Sequence, residues 1–366
     1  KKIYDVPDEN IWKIRQTLRK ELIDYLKRRI TDDLTQRQEN PKLIINTREA
    51  FNENALTIGF ARRFATYKRA NLLFTNLKRL AKIVNNKDKP VQFVYAGKAH
   101  PQDVEGQNLI KKIIEISKRP EFLGKIIFVE NYDIALAKKL ISGVDIWLNT
   151  PTRPMEASGT SGEKAVMNGV VNFSVLDGWW AEGYKEKAGW AIKEAKTYAN
   201  QKFQDELDAE TIYYLLEEEI IPVFYDLNEK GIPVKWISYI KNTIYEIAPH
   251  FTMKRMLDDY YNKFYNKLFK RSEQLKMNNY DLAKQISLWK TKINNNWENI
   301  KIVSVKTPDS NGYPLMLGEK FKAVIVLKMS KLSENDLGIE IIFGKKVNGE
   351  VKEIIFSEQM KMVHRE

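Results

Sequence analysis

Between positions 56 and 175 short apolar runs take turns with helix-period stretches, and this alternation restricts the fold more than any other feature of the chain. The runs cover 56–60, 91–95, 126–129, 144–148 and 170–175; helical patterns lie near 69–84, 104–117, 134–141 and around Lys164. Strands buried on both faces read as continuous apolar runs, and helices between them supply the crossovers of a parallel sheet. The expected fold is therefore α/β, a Rossmann-like parallel sheet with helices on both faces. Ligands of such sheets sit beyond the carboxyl ends of the strands.

The flanks read differently. Asp8 is placed to cap a helix carrying Ile11, Ile14, Leu18, Leu22, Tyr25, Leu26 and Ile30, followed by a polar connection over 31–55 without sustained periodicity. Beyond about 201 helices follow one another: Ile212, Leu215, Leu216 and Ile220 mark one, and Trp236, Ile240, Ile244 and Ile247 the next. From Ile300 strand-like runs at 300–305, 321–327, 338–343 and 353–356 are separated by turn residues such as Asp309, Asn311 and Gly312. The expected division is 1–50, an N-terminal helix and linker; 51–200, the Rossmann-like domain; 201–296, a helical extension; and 297–366, a partial all-β sandwich. A start at Lys1 and an end at Glu366 within a strand-like pattern read as a piece of a longer chain.

Composition removes several chemistries. The chain has no cysteine, so thiolate nucleophiles and cysteine metal sites are excluded, and its three histidines leave little for a histidine metal centre. No run approaches the roughly 18 apolar residues of a membrane span, so the expectation is a cytoplasmic protein with no membrane partner. The net charge of +12 identifies no polyanion. Between Lys263 and Lys292 eight cations face only two acids, yet no nucleic-acid motif accompanies them, and a solvated helix face is the commoner reading.

Three loops after the strands carry candidate chemistry. The first, after 56–60, contains Arg62, Arg63, Lys68 and Arg69. Guanidinium forks match phosphate oxygens, and cations crowded at a helix start, where the dipole disfavours them, favour an anion partner over a bare surface. The second contains His100, the sole histidine of the sheet region, and a lone histidine without a Ser, Cys or Asp partner is more often structural than catalytic. The third runs from Asn149 through Glu156-Ala157-Ser158-Gly159-Thr160-Ser161-Gly162-Glu163-Lys164. Its small residues allow an anion to approach backbone N–H groups at a helix start, though it is neither a Walker loop nor a dinucleotide fingerprint. Lys164 stands in the helix that follows. Beside other cations a lysine becomes less basic and able to form a Schiff base, although an exposed helix lysine is the commoner case.

These residues resemble the α-glucan (glycogen, starch and maltodextrin) phosphorylases, particularly the short bacterial and archaeal type. The matching blocks are LTIGFARRFATYKRA at 56–70, AGKAHP at 96–101, ENYD at 130–133, WLNTPTRPMEASGTSGEKAVMNG at 147–169 and SVLDGWWAEGYKEKAGW at 174–190. The resemblance implies a retaining glycosyltransferase of the two-Rossmann GT-B fold that converts α-1,4-glucan and inorganic phosphate to glucose 1-phosphate, with pyridoxal 5'-phosphate on Lys164. It further implies that Arg62 and Thr160 hold the cofactor phosphate and that Arg63 and Lys68 hold inorganic phosphate. Glu156, Ser158 and Gly159 would meet glucose hydroxyls, Gly159 also lying at the cofactor, and Tyr132 would lie by the cofactor ring. A homo-oligomer is compatible with the family.

Two departures accompany the match. Glu163 replaces the methionine usual before the cofactor lysine; turned inward, it would raise the lysine's pKa and oppose phosphate. The family's first Rossmann domain, expected ahead of this segment, is missing, so the chain is expected to be the carboxyl-terminal part and inactive alone. The competing readings are a nucleotide-sugar glucan synthase of the same fold, which would lack the lysine-bound cofactor, and a glucan-binding or assembly module, which would bind maltodextrin without turnover.

Overall fold

A computed structural model describes residues 2–193, 198–307, 321–347 and 350–363. The chain forms two compact units, Lys1–Leu257 and Asp258–Glu366. In the first, two helices, α1 (Asp8–Gln36) and α2 (Pro41–Ala50), precede a regular alternation: β1 (Leu56–Ala61), α3 (Leu77–Val84), β2 (Val91–Ala96), α4 (Val104–Ser117), β3 (Ile126–Val129), α5 (Ile134–Gly143), β4 (Ile146–Asn149), α6 (Thr160–Met167), β5 (Val171–Val175), α7 (Trp179–Gly183) and β6 (Gly189–Ile192). Helices α8 (Gln201–Leu215), α9 (Ile221–Tyr225) and α10 (Val234–Asn242) follow.

The six strands are parallel and ordered β3-β2-β1-β4-β5-β6, which makes the expected α/β sheet. The order reverses between β1 and β4, which are paired through Ile58–Ile146 and Gly59–Trp147. Alternate residues of one strand serve the two faces. Phe93 and Tyr95 join Leu56, Ile58, Phe60 and Phe173 under α8 and α10. Val94 and Ala96 join Val144 and Trp147 under Leu22, Ile23 and Leu26 of α1 and Leu136 and Leu140 of α5.

Helices α3, α4 and α5 begin where short polar side chains accept a backbone N–H: Asn76 from Arg79 (3.1 Å), Asp103 from Gly106 (2.9 Å) and Asp133 from Leu136 (2.7 Å). At α1 the expectation about Asp8 fails. Pro7 is the capping position and makes no side-chain cap bond, while Asp8 is inside the helix and pairs with Lys241 at 2.7 Å. Ile14, expected on the buried face, is exposed, whereas Arg15 and Arg19 are buried. Charge explains the exchange: Arg15 donates to the carbonyls of Ser142 and Asn168 at the ends of α5 and α6. Arg19 pairs with Asp145 at 2.8 Å. The connection expected over 31–55 is largely helical, because α1 runs on to Gln36 and Asn40 caps α2, with Pro41 in its first turn.

Strand β6 adds a sixth member that periodicity does not reveal, since four residues containing Gly and Ala carry no strand pattern of their own; pairing with β5 places them. The α8 helix passes through a wider, π-type turn at Leu216–Ile220 into α9.

In the second unit, α11 (Met253–Tyr260), beginning just before the boundary, leads to α12 (Asn266–Asn296), whose helical geometry breaks at Met277, Asn278, Asn279 and Tyr280. Among the described residues two antiparallel pairs follow: β7 (Lys301–Lys306) with β8 (Val324–Lys328), and β9 (Glu340–Val347) with β10 (Glu350–Gln359). The expected turn residues Asp309, Asn311 and Gly312 lie outside the described residues.

Candidate functional site

At the switch point between β1 and β4 two loops, 62–69 and 150–159, leave the same end of the sheet, which is where ligands of open α/β sheets bind. They are laced together. The N–H of Thr152 donates to the Tyr67 carbonyl at 2.7 Å, and the Thr150 hydroxyl donates to the Lys68 carbonyl at 3.1 Å. A third loop, after β5, joins them: Asp177 accepts from the N–H of Glu156 at 2.9 Å, and the N–H of Trp179 donates to the Ser158 carbonyl at 2.9 Å. Asp177 was not among the expected site residues. Its signal is an Asp-Gly pair one residue beyond a strand, and only the meeting of two loops 21 residues apart gives it a role.

Of the expected residues, three converge. Arg62 Nη2 donates to Glu156 Oε2 at 2.6 Å, and Lys68 Nζ donates to Oε2 and Oε1 of the same carboxylate at 2.8 and 3.0 Å. All three side chains are nearly buried, so little water screens the contact. Burial pulls the Arg62 guanidinium below its usual pKa, and Glu156 opposes that fall. Two further donors of Arg62, Nε and Nη1, are buried and have no partner among the described residues. A buried guanidinium with spare donors is chemically suited to an additional anion.

The fourth cation of the loop departs from the expected grip. Arg69, in a left-handed conformation at φ 48°, donates to the carbonyls of Thr150 and Pro151 at 2.9 Å each. It also pairs with Asp205 at 2.9 Å and Asp208 at 2.6 Å on α8. It thus ties the two loops to α8 and is committed to the scaffold. Arg63 is exposed.

Gly159 precedes α6 at φ +92°, a conformation that favours glycine. Thr160, the first residue of α6, and Lys164, in its last turn, are exposed, while Ser158 is half-buried. The indole of Trp147 donates to Ser161 Oγ at 3.2 Å and fixes the helix start to β4. Tyr132 packs half-buried against the cluster that contains Ala165 and Val129, and burial raises its phenol pKa. Glu163 is half-buried. Burial raises its carboxyl pKa, Lys164 and Arg255 oppose the rise, and Glu182 adds to it. His100 is exposed and its Nδ1 accepts from the Gln102 N–H at 3.2 Å, a turn-forming role. Among the described residues no cluster of His, Cys, Asp or Glu could hold a metal, and no helix is long and apolar enough to cross a membrane.

The chain is thus an α/β protein whose parallel sheet brings two cations, their shared carboxylate and a helix start to its switch point. Residues 19–190 match the family model Phosphorylase, the carbohydrate phosphorylases. The chain is 41% identical to the maltodextrin phosphorylase of Thermococcus litoralis over 94% of its own length and 39% of that protein. It is 47% identical to the glycogen phosphorylase of Aquifex aeolicus over 73% of its own length and 38% of that protein. A glycogen phosphorylase of Mycobacterium bovis is 33% identical over 96% of the chain and 40% of the relative. The chain is therefore a relative of the carbohydrate phosphorylases and spans about two fifths of their length.

Proposed function

We propose that the chain carries the cofactor- and phosphate-binding part of an α-glucan phosphorylase, a retaining glycosyltransferase that cleaves α-1,4-glucan with inorganic phosphate to glucose 1-phosphate. The observation that carries this reading is the nearly buried Arg62–Glu156–Lys68 cluster at the switch point, with two donors of Arg62 unsatisfied. In a whole enzyme the sheet would form one half of a GT-B pair, in the cytoplasm, with a homo-oligomer compatible with it.

The residues present fit pyridoxal 5'-phosphate. Lys164 is an exposed amine on the helix that starts at the glycine cradle, and the spare N–H groups of Arg62 are the donor set a phosphate requires. Arg62 and Thr160 would hold the cofactor phosphate, Arg63 and Lys68 the inorganic phosphate, and Tyr132 the cofactor ring. Glu156, Ser158 and Gly159 would meet the sugar. When bound, the cofactor supplies a phosphate that exchanges a proton with the substrate phosphate. Arg62 and Lys68 offset the repulsion between neighbouring phosphates, and their burial strengthens that attraction.

The test is reductive labelling. The chain is incubated with pyridoxal phosphate, reduced with borohydride and peptide-mapped. A pyridoxyl group on Lys164, lost in Lys164→Arg, is the expected result; labelling spread over other lysines with Lys164 unmodified would refute the cofactor assignment and favour a nucleotide-sugar synthase.

A further inference from the structure

The carboxylate in the cation grip belongs to the loop that is expected to touch sugar. Glu156 holds both Arg62 and Lys68 at 2.6 to 3.0 Å, with side-chain exposures of 11%, 6% and 10%. A carboxylate so placed does electrostatically what a bound anion would do. A phosphate dianion added beside it would put like charges together in a poorly screened site, so Glu156 competes with the cofactor phosphate for Arg62 and with inorganic phosphate for Lys68.

The surroundings permit an exchange. The backbone of Glu156 is anchored through its N–H to Asp177, so the side chain can turn without the loop moving. The carboxylate lies beside the position where Gly159 lacks a side chain: a Cβ there would stand 3.8 Å from Oε1. The unpartnered Nε and Nη1 of Arg62 leave the grip with more donors than one carboxylate uses, whereas a phosphate offers further acceptors.

We propose that Glu156 couples the two ligands of this site: it occupies the Arg62–Lys68 grip until an anion displaces it, and the released carboxylate then accepts hydroxyls of the sugar. The inference rests on the phosphate-binding reading above and adds a linkage to it. A sugar that captures the carboxylate lowers the cost of freeing the cations, and by reciprocity the anion raises sugar affinity by the same factor.

The experiment is isothermal titration of inorganic phosphate into the full chain, its Glu156→Gln variant and its Lys68→Met variant, with and without maltopentaose. Near-ultraviolet dichroism confirms that each variant is folded, and Glu156→Ala stands in if the amide variant is not. Glu156→Gln is expected to bind phosphate about fivefold or more tightly than the parent without sugar, the low end of ordinary coupling energies. Maltopentaose should tighten phosphate binding to the parent and leave Glu156→Gln unchanged. Equal or weaker phosphate binding by Glu156→Gln, with binding still lost in Lys68→Met, overturns the exchange while leaving the phosphate site intact. An unchanged parent affinity on adding maltopentaose overturns the coupling. Absence of phosphate binding in every form removes the phosphate-site reading and the inference together.

Discussion

Replacing Arg69 by methionine separates scaffold from grip within one loop. The substitution keeps a long apolar stem but removes the guanidinium that pairs with Asp208, whose side chain is 2% exposed, and that donates to Thr150 and Pro151. Breaking a buried pair from one side costs about 3–5 kcal/mol, because the remaining charge loses its compensation. Asp205 is 36% exposed, so its pair adds under about 1 kcal/mol. With roughly 2–4 °C per kcal/mol for a body of this size, a loss of about 4 kcal/mol lowers Tm by roughly 8–16 °C. The exposed Arg63→Met is expected to stay within about 0.5 kcal/mol of the parent.

The pH dependence has a defined sign. Burial raises the Asp208 carboxyl from its ordinary 3.8, and Arg69 opposes the rise. A group whose folded pKa is raised loses stability as pH climbs through the interval above its unfolded value, so the Arg69→Met deficit should grow as pH rises above about 3.8. Urea denaturation at several pH values, followed by tryptophan fluorescence, measures this. The double variant Arg69→Met/Asp208→Asn should cost less than the sum of the single changes, by about 0.5–3 kcal/mol. A stable Arg69→Met that no longer binds inorganic phosphate would refute the argument and place Arg69 in the grip.

Two more outcomes are expected. Gly178 has φ +55°, and an added Cβ would lie 2.3 Å from the Ser158 carbonyl oxygen, so Gly178→Ala should lose about 1–3 kcal/mol, read as a lower urea midpoint; an unchanged midpoint would mean the loops do not need this close approach. Glu163 is raised above its ordinary 4.5 chiefly by burial, so its ionisation opposes folding as pH rises past that value. Glu163→Gln should therefore gain stability relative to the parent as pH rises past about 4.5, and a difference that does not change as pH crosses that value would show that burial does not hold the carboxyl.

The alternation of apolar runs and helical stretches determined the sheet class, since strands buried on both faces and their crossover helices leave unmistakable periods. The sequence also marked the two loops that meet at the switch point and named Arg62, Lys68 and Glu156 within them. It missed β6, whose four residues are a strand only because β5 offers them a partner. It misread α1, because Arg15 and Arg19 look solvated in a linear pattern and are buried only where the ends of α5 and α6 and Asp145 receive them.

The division of labour among the loop cations shows the same limit most sharply. Arg62, Arg63, Lys68 and Arg69 lie within eight positions and are alike in charge, so residue type and spacing made them a single cluster. Tertiary contacts sent Arg69 to Asp205 and Asp208, left Arg63 exposed, and closed Arg62 and Lys68 on Glu156. Sequence determines which groups can be charged and which strand end presents them. The partner of each charge is set by distance and burial, and those exist only once segments 88 to 139 residues apart have come together.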